Sequence, residues 1–141
     1  AYSLGIKWNA PGMWFLELNG VYMADSYVSL SPVRHEAMPG LYKVCETEEE
    51  LIQKTAEITR QERLNDNFVL NASIGKLIYL NRTASLNINL NVDNVLNNRN
   101  IQTSGYQQGR FDYTNFSTSK YPNKYYYAQG IKLYLNIGVK F

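Results

Sequence analysis

The chain has little of the chemistry on which most enzymes and metal proteins depend. Among its 141 residues, Cys45 is the only cysteine and His35 is the only histidine. A single cysteine excludes an intrachain disulfide and a paired-thiol zinc site. A single histidine excludes a histidine-based metal cluster, and a Ser/His/Asp site would have to use His35 alone. We therefore expect that the protein is not an enzyme and that it has no metal site and no cofactor.

The sequence also lacks long apolar runs and a strong charge imbalance. No stretch approaches the roughly 18 consecutive apolar residues of a membrane-spanning helix, although 45% of the residues are hydrophobic. The formal net charge is +2 and the basic residues are scattered, so we expect no nucleic-acid partner. Residues 1–8 have neither the basic start nor the apolar centre of a signal peptide, and we expect the chain to begin inside a strand.

What the chain has instead is a strict alternation of apolar and polar side chains. In residues 130–141 every odd position after Gly130 is apolar, and every even position is polar, small or tyrosine. Successive side chains of a strand point to opposite faces, so one face suits lipid and the other suits water. Four further segments alternate in the same way, beginning near Tyr2, Trp14, Phe68 and Ala84. Each is about as long as a bilayer-spanning strand, and we predict five such strands.

The connections between these segments alternate between short and long. Residues 9–12 and 79–82 are short turns, whereas residues 25–66 and 97–129 are long and lose the alternation. Outer-membrane barrels have short turns on the periplasmic side and long loops on the outer side. We therefore predict an all-β fold, an antiparallel meander of about five long strands with two long outer loops. The second strand is expected to end near Ala24 or Tyr27.

One short helix is predicted inside the first long loop. Thr47 is followed three residues later by Glu50, which is the spacing of a capping box, and the acidic first turn suits the helix dipole. We predict a helix from about Glu48 to Thr59. The acidic run from Glu46 to Glu50 is interpreted as a solvated face rather than as a cation site.

Two segments carry a resemblance to a known family. Residues 87–98 resemble the penultimate strand of TonB-dependent outer-membrane receptors, and the positions that match the family pattern are Asn94, Val95, Leu96 and Asn97. Residues 125–141, a tyrosine-rich stretch before an alternating strand and a terminal phenylalanine, resemble the carboxyl ends of these receptors. The resemblance implies a barrel-assembly signal formed by Tyr134, Val139 and Phe141. The sequence departs from the family at Asn136, where a glycine is common.

The resemblance implies that residues 1–141 are the carboxy-terminal fragment of a transmembrane β-barrel of about 22 strands in the cell outer membrane. The function implied is energy-coupled import of a scarce nutrient, such as an iron chelate, a glycan or a peptide. The implied partners are the remaining amino-terminal strands and plug of the receptor, the TonB complex, outer-membrane lipid, the barrel-assembly machinery and, as a further candidate, a surface lipoprotein. Asn87, Asn89 and Asn91 are expected to face the barrel lumen.

The second long loop supplies the ligand-binding candidates, because it combines flat aromatic faces with amide and guanidinium donors. They are Tyr106, Gln107, Arg110, Tyr113, Tyr121 and Tyr125. Aromatic faces stack on sugars or aromatic chelators, and Arg110 suits an anionic ligand. The same tyrosines are also typical of a membrane-boundary girdle. Two alternatives stay open: a structural or adhesive outer-membrane barrel without transport, and a soluble β-sandwich binding module.

Overall fold

A computed structural model describes all residues 1–141, and antiparallel β-structure dominates it. The strands are β1 (Tyr2–Ala10), β2 (Trp14–Met23), β3 (Asn67–Tyr79), β4 (Ser85–Asp93), β5 (Gln102–Tyr106), β6 (Lys124–Tyr127) and β7 (Lys132–Lys140). The five long strands form one antiparallel sheet in the order β1-β2-β3-β4-β7, and β5 pairs with β6. The all-β prediction is confirmed. The sheet is open, with β1 and β7 as its edges.

The chain divides into two compact units. The sheet unit comprises Ala1–Ala24, Asp66–Ile101 and Ala128–Phe141, and the loop unit comprises Asp25–Asn65 and Gln102–Tyr127. The sheet unit holds all five long strands. The loop unit is assembled from the two segments that the sequence predicts as long loops.

The pairing register of the sheet keeps most of the apolar side chains of all five strands on one face. One row across the sheet reads Ile6, Leu18, Ala72, Val92 and Leu133, and the next reads Trp8, Leu16, Ile74, Leu90 and Leu135. On the opposite face a row reads Lys7, Glu17, Ser73, Asn91 and Tyr134. Since a slip of one residue would move a whole strand's apolar set to the other face, the alternation fixes the register.

The apolar face of the sheet lies uncovered. Leu4 is 77% exposed, Ile6 is 68% exposed and Leu133 is 64% exposed. None of the side chains on this face is buried. In a water-soluble protein such a face normally packs against a second layer.

Aromatic side chains mark both ends of the apolar face. Tyr2, Tyr22 and Phe68 form one cross-strand row near the end of the sheet from which the long connections leave. Trp8 and Trp14 lie near the end that carries the short turns.

Aromatic rings also cover two glycines of the sheet. A ring carbon of Phe68 lies 3.1 Å from the position that a Cβ of Gly20 would take. On the polar face the ring of Phe15 occupies the space where a Cβ of Gly75 would lie. An aromatic ring over a strand glycine restores the packing that the missing side chain would supply.

Short turns and long connections lie at opposite ends of the sheet, as predicted. Gly12 and Met13 turn the chain between β1 and β2 with positive φ angles of 76° and 62°. Between β3 and β4, the side-chain oxygen of Asn81 accepts hydrogen bonds from the backbone N–H groups of Thr83 and Ala84, at 2.9 and 2.7 Å. Both long connections leave from the other end of the sheet. Strand β2 ends at Met23, just before the predicted end at Ala24 or Tyr27.

The loop unit contains three helices, where the sequence predicts only one, and a hairpin of β5 and β6. The helices are α1 (Pro32–Glu36), α2 (Met38–Leu41) and α3 (Glu48–Thr59). Helix α3 has the predicted bounds. Thr47 accepts a hydrogen bond from the backbone N–H of Glu50 at 3.2 Å, and the Glu50 carboxylate accepts one from Glu46 at 3.2 Å, so the capping box closes one residue earlier than its usual spacing.

The loop unit has a hydrophobic core of its own, formed by Ala37, Leu41, Ile58, Phe111 and Phe116. The rings of the two phenylalanines meet edge to face with their centroids 6.1 Å apart. No helix of the protein is both long enough and apolar enough to cross a bilayer.

Candidate functional site

The predicted ligand-binding residues all lie in the loop unit, but the structure gives them different environments. Tyr106 of β5 stacks on Tyr126 of β6 with ring centroids 5.9 Å apart and an interplanar angle of 28°. Both rings are partly exposed, so they are accessible to a ligand. Tyr113 is also exposed, and its ring meets Phe111 of the core edge to face at 5.3 Å.

Gln107 has a structural environment. It is buried, and its side-chain oxygen accepts a hydrogen bond from the backbone N–H of Ser31 at 3.0 Å. Its side-chain nitrogen donates to the carbonyl oxygen of Arg60 at 3.2 Å. These two bonds join three separate stretches of the loop unit, so the amide stabilises the unit rather than facing a ligand.

Tyr125 is held by a carboxylate. Its hydroxyl donates to both carboxylate oxygens of Glu62, at 2.7 and 2.8 Å, and the side-chain nitrogen of Asn123 donates to the same group at 2.6 Å. Ionising the phenol would place its negative charge beside the Glu62 carboxylate. The hydrogen bond to Glu62 therefore raises the pKa of Tyr125 to about 12, and the group is a neutral donor at ordinary pH.

Arg110 and Tyr121 come together with two cations that the sequence interpretation did not single out. The guanidinium carbon of Arg110 lies 5.0 Å from the ring centroid of Tyr121, and the ammonium nitrogen of Lys120 lies 5.8 Å from the same point. A guanidinium nitrogen of Arg34 donates to the carbonyl oxygen of Tyr121 at 3.0 Å. Arg34 and Tyr121 are 87 positions apart, and no local motif marks Arg34, so the sequence alone could not have paired them.

The polar face of the sheet carries the predicted asparagines. Asn87, Asn89 and Asn91 share this face. The side-chain oxygen of Asn89 accepts a hydrogen bond from Ser73 at 3.2 Å, and its nitrogen donates to Asn91 at 3.4 Å. Asn89 is thus hydrogen-bonded across the sheet to β3 and along its own strand.

The family-like segment after β4 has a clear structural role centred on Asn94. This residue is buried and has a left-handed φ of 53°. Its side-chain nitrogen donates to the carbonyl oxygens of Asn98 and Gln129, at 2.9 and 3.2 Å, and its side-chain oxygen accepts from the N–H of Asn98 at 3.1 Å. The side-chain oxygen of Asn97 accepts from the N–H of Ile131 at 3.1 Å. The two asparagines therefore tie the end of β4 to the start of β7.

The residues of the predicted barrel-assembly signal lie on and after the edge strand β7. Val139 is on the apolar face, Tyr134 is on the polar face, and Phe141 follows the strand and is almost fully exposed. The outer edge of β7 pairs with no other strand of the chain.

No group of three or more histidine, cysteine, aspartate or glutamate side chains is placed to hold a metal ion. Comparison of the chain with protein-family models, with curated proteins and with solved structures finds no match.

Proposed function

We propose that the chain forms part of the wall of an outer-membrane β-barrel, and that this barrel is a TonB-dependent receptor which imports a scarce nutrient. The observation that carries the proposal is the uncovered apolar face, which stays in register over five strands. Contact with lipid removes these apolar side chains from water. In water each large apolar side chain would instead lack the stabilisation of about 1.5–3 kcal/mol that burial provides. Four of the five strands are 9 or 10 residues long, which matches tilted bilayer-spanning strands.

The open edges of the sheet support a larger barrel. Strands β1 and β7 each leave a row of backbone N–H and C=O groups without a strand partner. In a bilayer each unsatisfied group costs several kcal/mol, so spanning sheets close on themselves. The proposal therefore includes further strands that pair with both edges. It also includes the other partners that the resemblance implies, namely the plug, the TonB complex, the assembly machinery and a surface lipoprotein.

The loop unit favours a receptor over a purely structural barrel. Its helices and hairpin enclose Leu41 and Ile58 completely, so this unit is a folded body and not a pair of extended loops. It presents Tyr106, Tyr126 and Arg110 at its surface, and these side chains offer ring faces and charged donors to a ligand. An adhesive barrel would present the same surface without transport. The two functions separate in cells, because only import stops when the proton gradient that drives TonB is collapsed.

Lipid contact by the apolar face can be tested with single labelled cysteines. In a Cys45→Ser background, an environment-sensitive fluorophore is attached at Leu135→Cys or at Asn136→Cys, which are neighbours on opposite faces of β7. The labelled chain, together with the strands that complete the proposed barrel, is folded into vesicles that contain nitroxide-labelled lipid. We expect quenching by the lipid at position 135 and quenching by aqueous iodide at position 136. Equal quenching at the two positions, or a chain that stays in solution without vesicles, would contradict the barrel and favour the soluble β-sandwich.

A further inference from the structure

Three cationic side chains of the loop unit meet at one tyrosine. Arg110 and Lys120 approach the ring of Tyr121, and Arg34 holds its carbonyl oxygen. We call this group the Tyr121 cluster. None of its three cations forms a salt bridge with a carboxylate. Like charges that lie close together repel each other, and an anion bound between them offsets that repulsion.

Arg34 is the buried member of the cluster. Its side chain is only 3% exposed, and its Nε atom has no hydrogen-bond partner. Removal from water lowers the pKa of its guanidinium group, and nothing near it offsets that effect. Arginine is almost never fully buried without a paired carboxylate or phosphate.

The one carboxylate that Lys120 influences does not fill this role. Asp112 feels the positive charge of Lys120, but its oxygens are already bound. One accepts from the side-chain nitrogen of Asn115 at 2.9 Å, and the other accepts from the backbone N–H of Thr114 at 3.1 Å. These bonds hold the pKa of Asp112 below its ordinary value, and the bond from Asn115 has the largest effect. Asp112 therefore organises its own turn and makes no ion pair with the cluster.

We propose that the Tyr121 cluster binds a small oxyanion that carries several carboxylate or phosphate oxygens. Arg110 supplies a planar fork that pairs with two oxygens at once, and Lys120 adds a mobile point charge. Both side chains are exposed and can reach a ligand from solution. Arg34 acts as a positioning residue, because its bond to the Tyr121 carbonyl fixes the backbone of the residue whose ring both exposed cations approach.

The site itself depends only on the loop unit. Its consequence for transport rests on the proposed function, since a receptor with this cluster on a loop surface would import an anionic solute. This excludes neutral glycans and cationic peptides as the preferred nutrient. It also gives Arg110 and Tyr121, both predicted ligand-binding residues, a shared role at one site.

The site is tested with the full chain in detergent micelles at low ionic strength. Pyrophosphate and citrate are titrated separately by calorimetry, and the Nε–H resonances of the arginines are followed by NMR. We expect saturable binding that shifts the resonances of Arg34 and Arg110 together. Binding by pyrophosphate alone identifies a phosphate ligand, and binding by citrate alone identifies a carboxylate ligand.

The variants that test the site replace only exposed side chains, and they replace them with polar ones. The double substitution Arg110→Gln and Lys120→Gln should weaken binding at least tenfold, whereas Lys124→Gln, another exposed cation of the loop unit, should change it less than twofold. Absence of saturable binding at millimolar probe, or an equal loss in the Lys124→Gln control, would overturn the proposal. If anions bind but the lipid-quenching test fails, the site stands and the receptor function falls. If the lipid-quenching test succeeds but no anion binds, the barrel stands and the anion site is overturned.

Discussion

Replacing Leu18 with arginine places a charge at the middle of the apolar face. Leu18 lies on β2, four residues from Trp14 and four from Tyr22, which are the aromatic residues at the two ends of that face. The eight residue steps from Trp14 to Tyr22 span about 27 Å along the strand at roughly 3.4 Å each. With a strand tilt of about 40° this becomes about 21 Å across the membrane, close to the apolar band of about 25 Å in outer-membrane barrels. Leu18 is therefore about 10 Å from either boundary.

A charge at that depth has a known range of cost. Arginine at the bilayer midplane destabilises a membrane barrel by about 2–4 kcal/mol, and near the interfaces by about 0–1 kcal/mol. We expect Leu18→Arg to fall in the first range and Tyr22→Arg in the second. Asn19→Arg is the matched control on the polar face, since it places the same charge next to Leu18 on the same strand and at the same depth. It should change the free energy of unfolding by less than about 1 kcal/mol.

The free energy of unfolding is measured by denaturant titration in lipid vesicles, with the fluorescence of Trp8 and Trp14 as the signal. A dependence on face and on depth together is what lipid contact requires. A Leu18→Arg cost within about 0.5 kcal/mol of zero would mean that the face lies in water. Equal costs at Leu18 and Tyr22 would mean that another protein layer covers the face. Either result would refute the assignment of this face to lipid.

Three further predictions concern the packing of the sheet and the loop unit. Gly75→Val should displace the ring of Phe15 and lower the free energy of unfolding by about 1–3 kcal/mol, whereas Gly138→Val, with open space around its Cβ position, should have little effect in the same denaturant titration. Asn94→Ala should cost about 1–3 kcal/mol by leaving buried backbone groups unpaired, and Asn94→Gly should cost about 1 kcal/mol less because glycine tolerates the left-handed φ. For Tyr125 the raised pKa means that its contribution to stability is fully present below about pH 10 and is lost as the pH rises through about 12. Tyr125→Phe should remove that part of the alkaline loss of stability, and ultraviolet difference titration of the two proteins should show the phenol that ionises near pH 12.

The strands could be predicted from the sequence because their information is local. A side chain at every second position is enough to define a strand and its two faces, and the register then follows from the need to keep Ile6, Leu18 and Leu133 on one face. Helix α3 was predictable for the same reason, since Thr47 and Glu50 are three residues apart. The number of strands in the proposed barrel has no such local signal.

The loop unit could not be predicted, because its information is spread along the chain. Helices α1 and α2 have five and four residues, too few to show a helical period. Strand β5 reads Gln-Thr-Ser-Gly-Tyr and has no apolar alternation. The core joins Leu41 to Phe111, and the Tyr121 cluster joins Arg34 to Arg110, through a fold that brings residues 70 or more positions apart into one unit.

The contrast between the two units bears on the solvent that surrounds each. In the loop unit the chain encloses its apolar side chains, and Leu41 and Ile58 have no exposed surface. In the sheet unit the same chain leaves Leu4 and Ile137 mostly exposed, while it bonds the amides of the opposite face to one another. If water surrounded both units, the hydrophobic effect would act on both and the sheet would need a covering layer. The difference is explained if water surrounds the loop unit and lipid meets one face of the sheet, which is the arrangement that the labelled cysteines at positions 135 and 136 would detect.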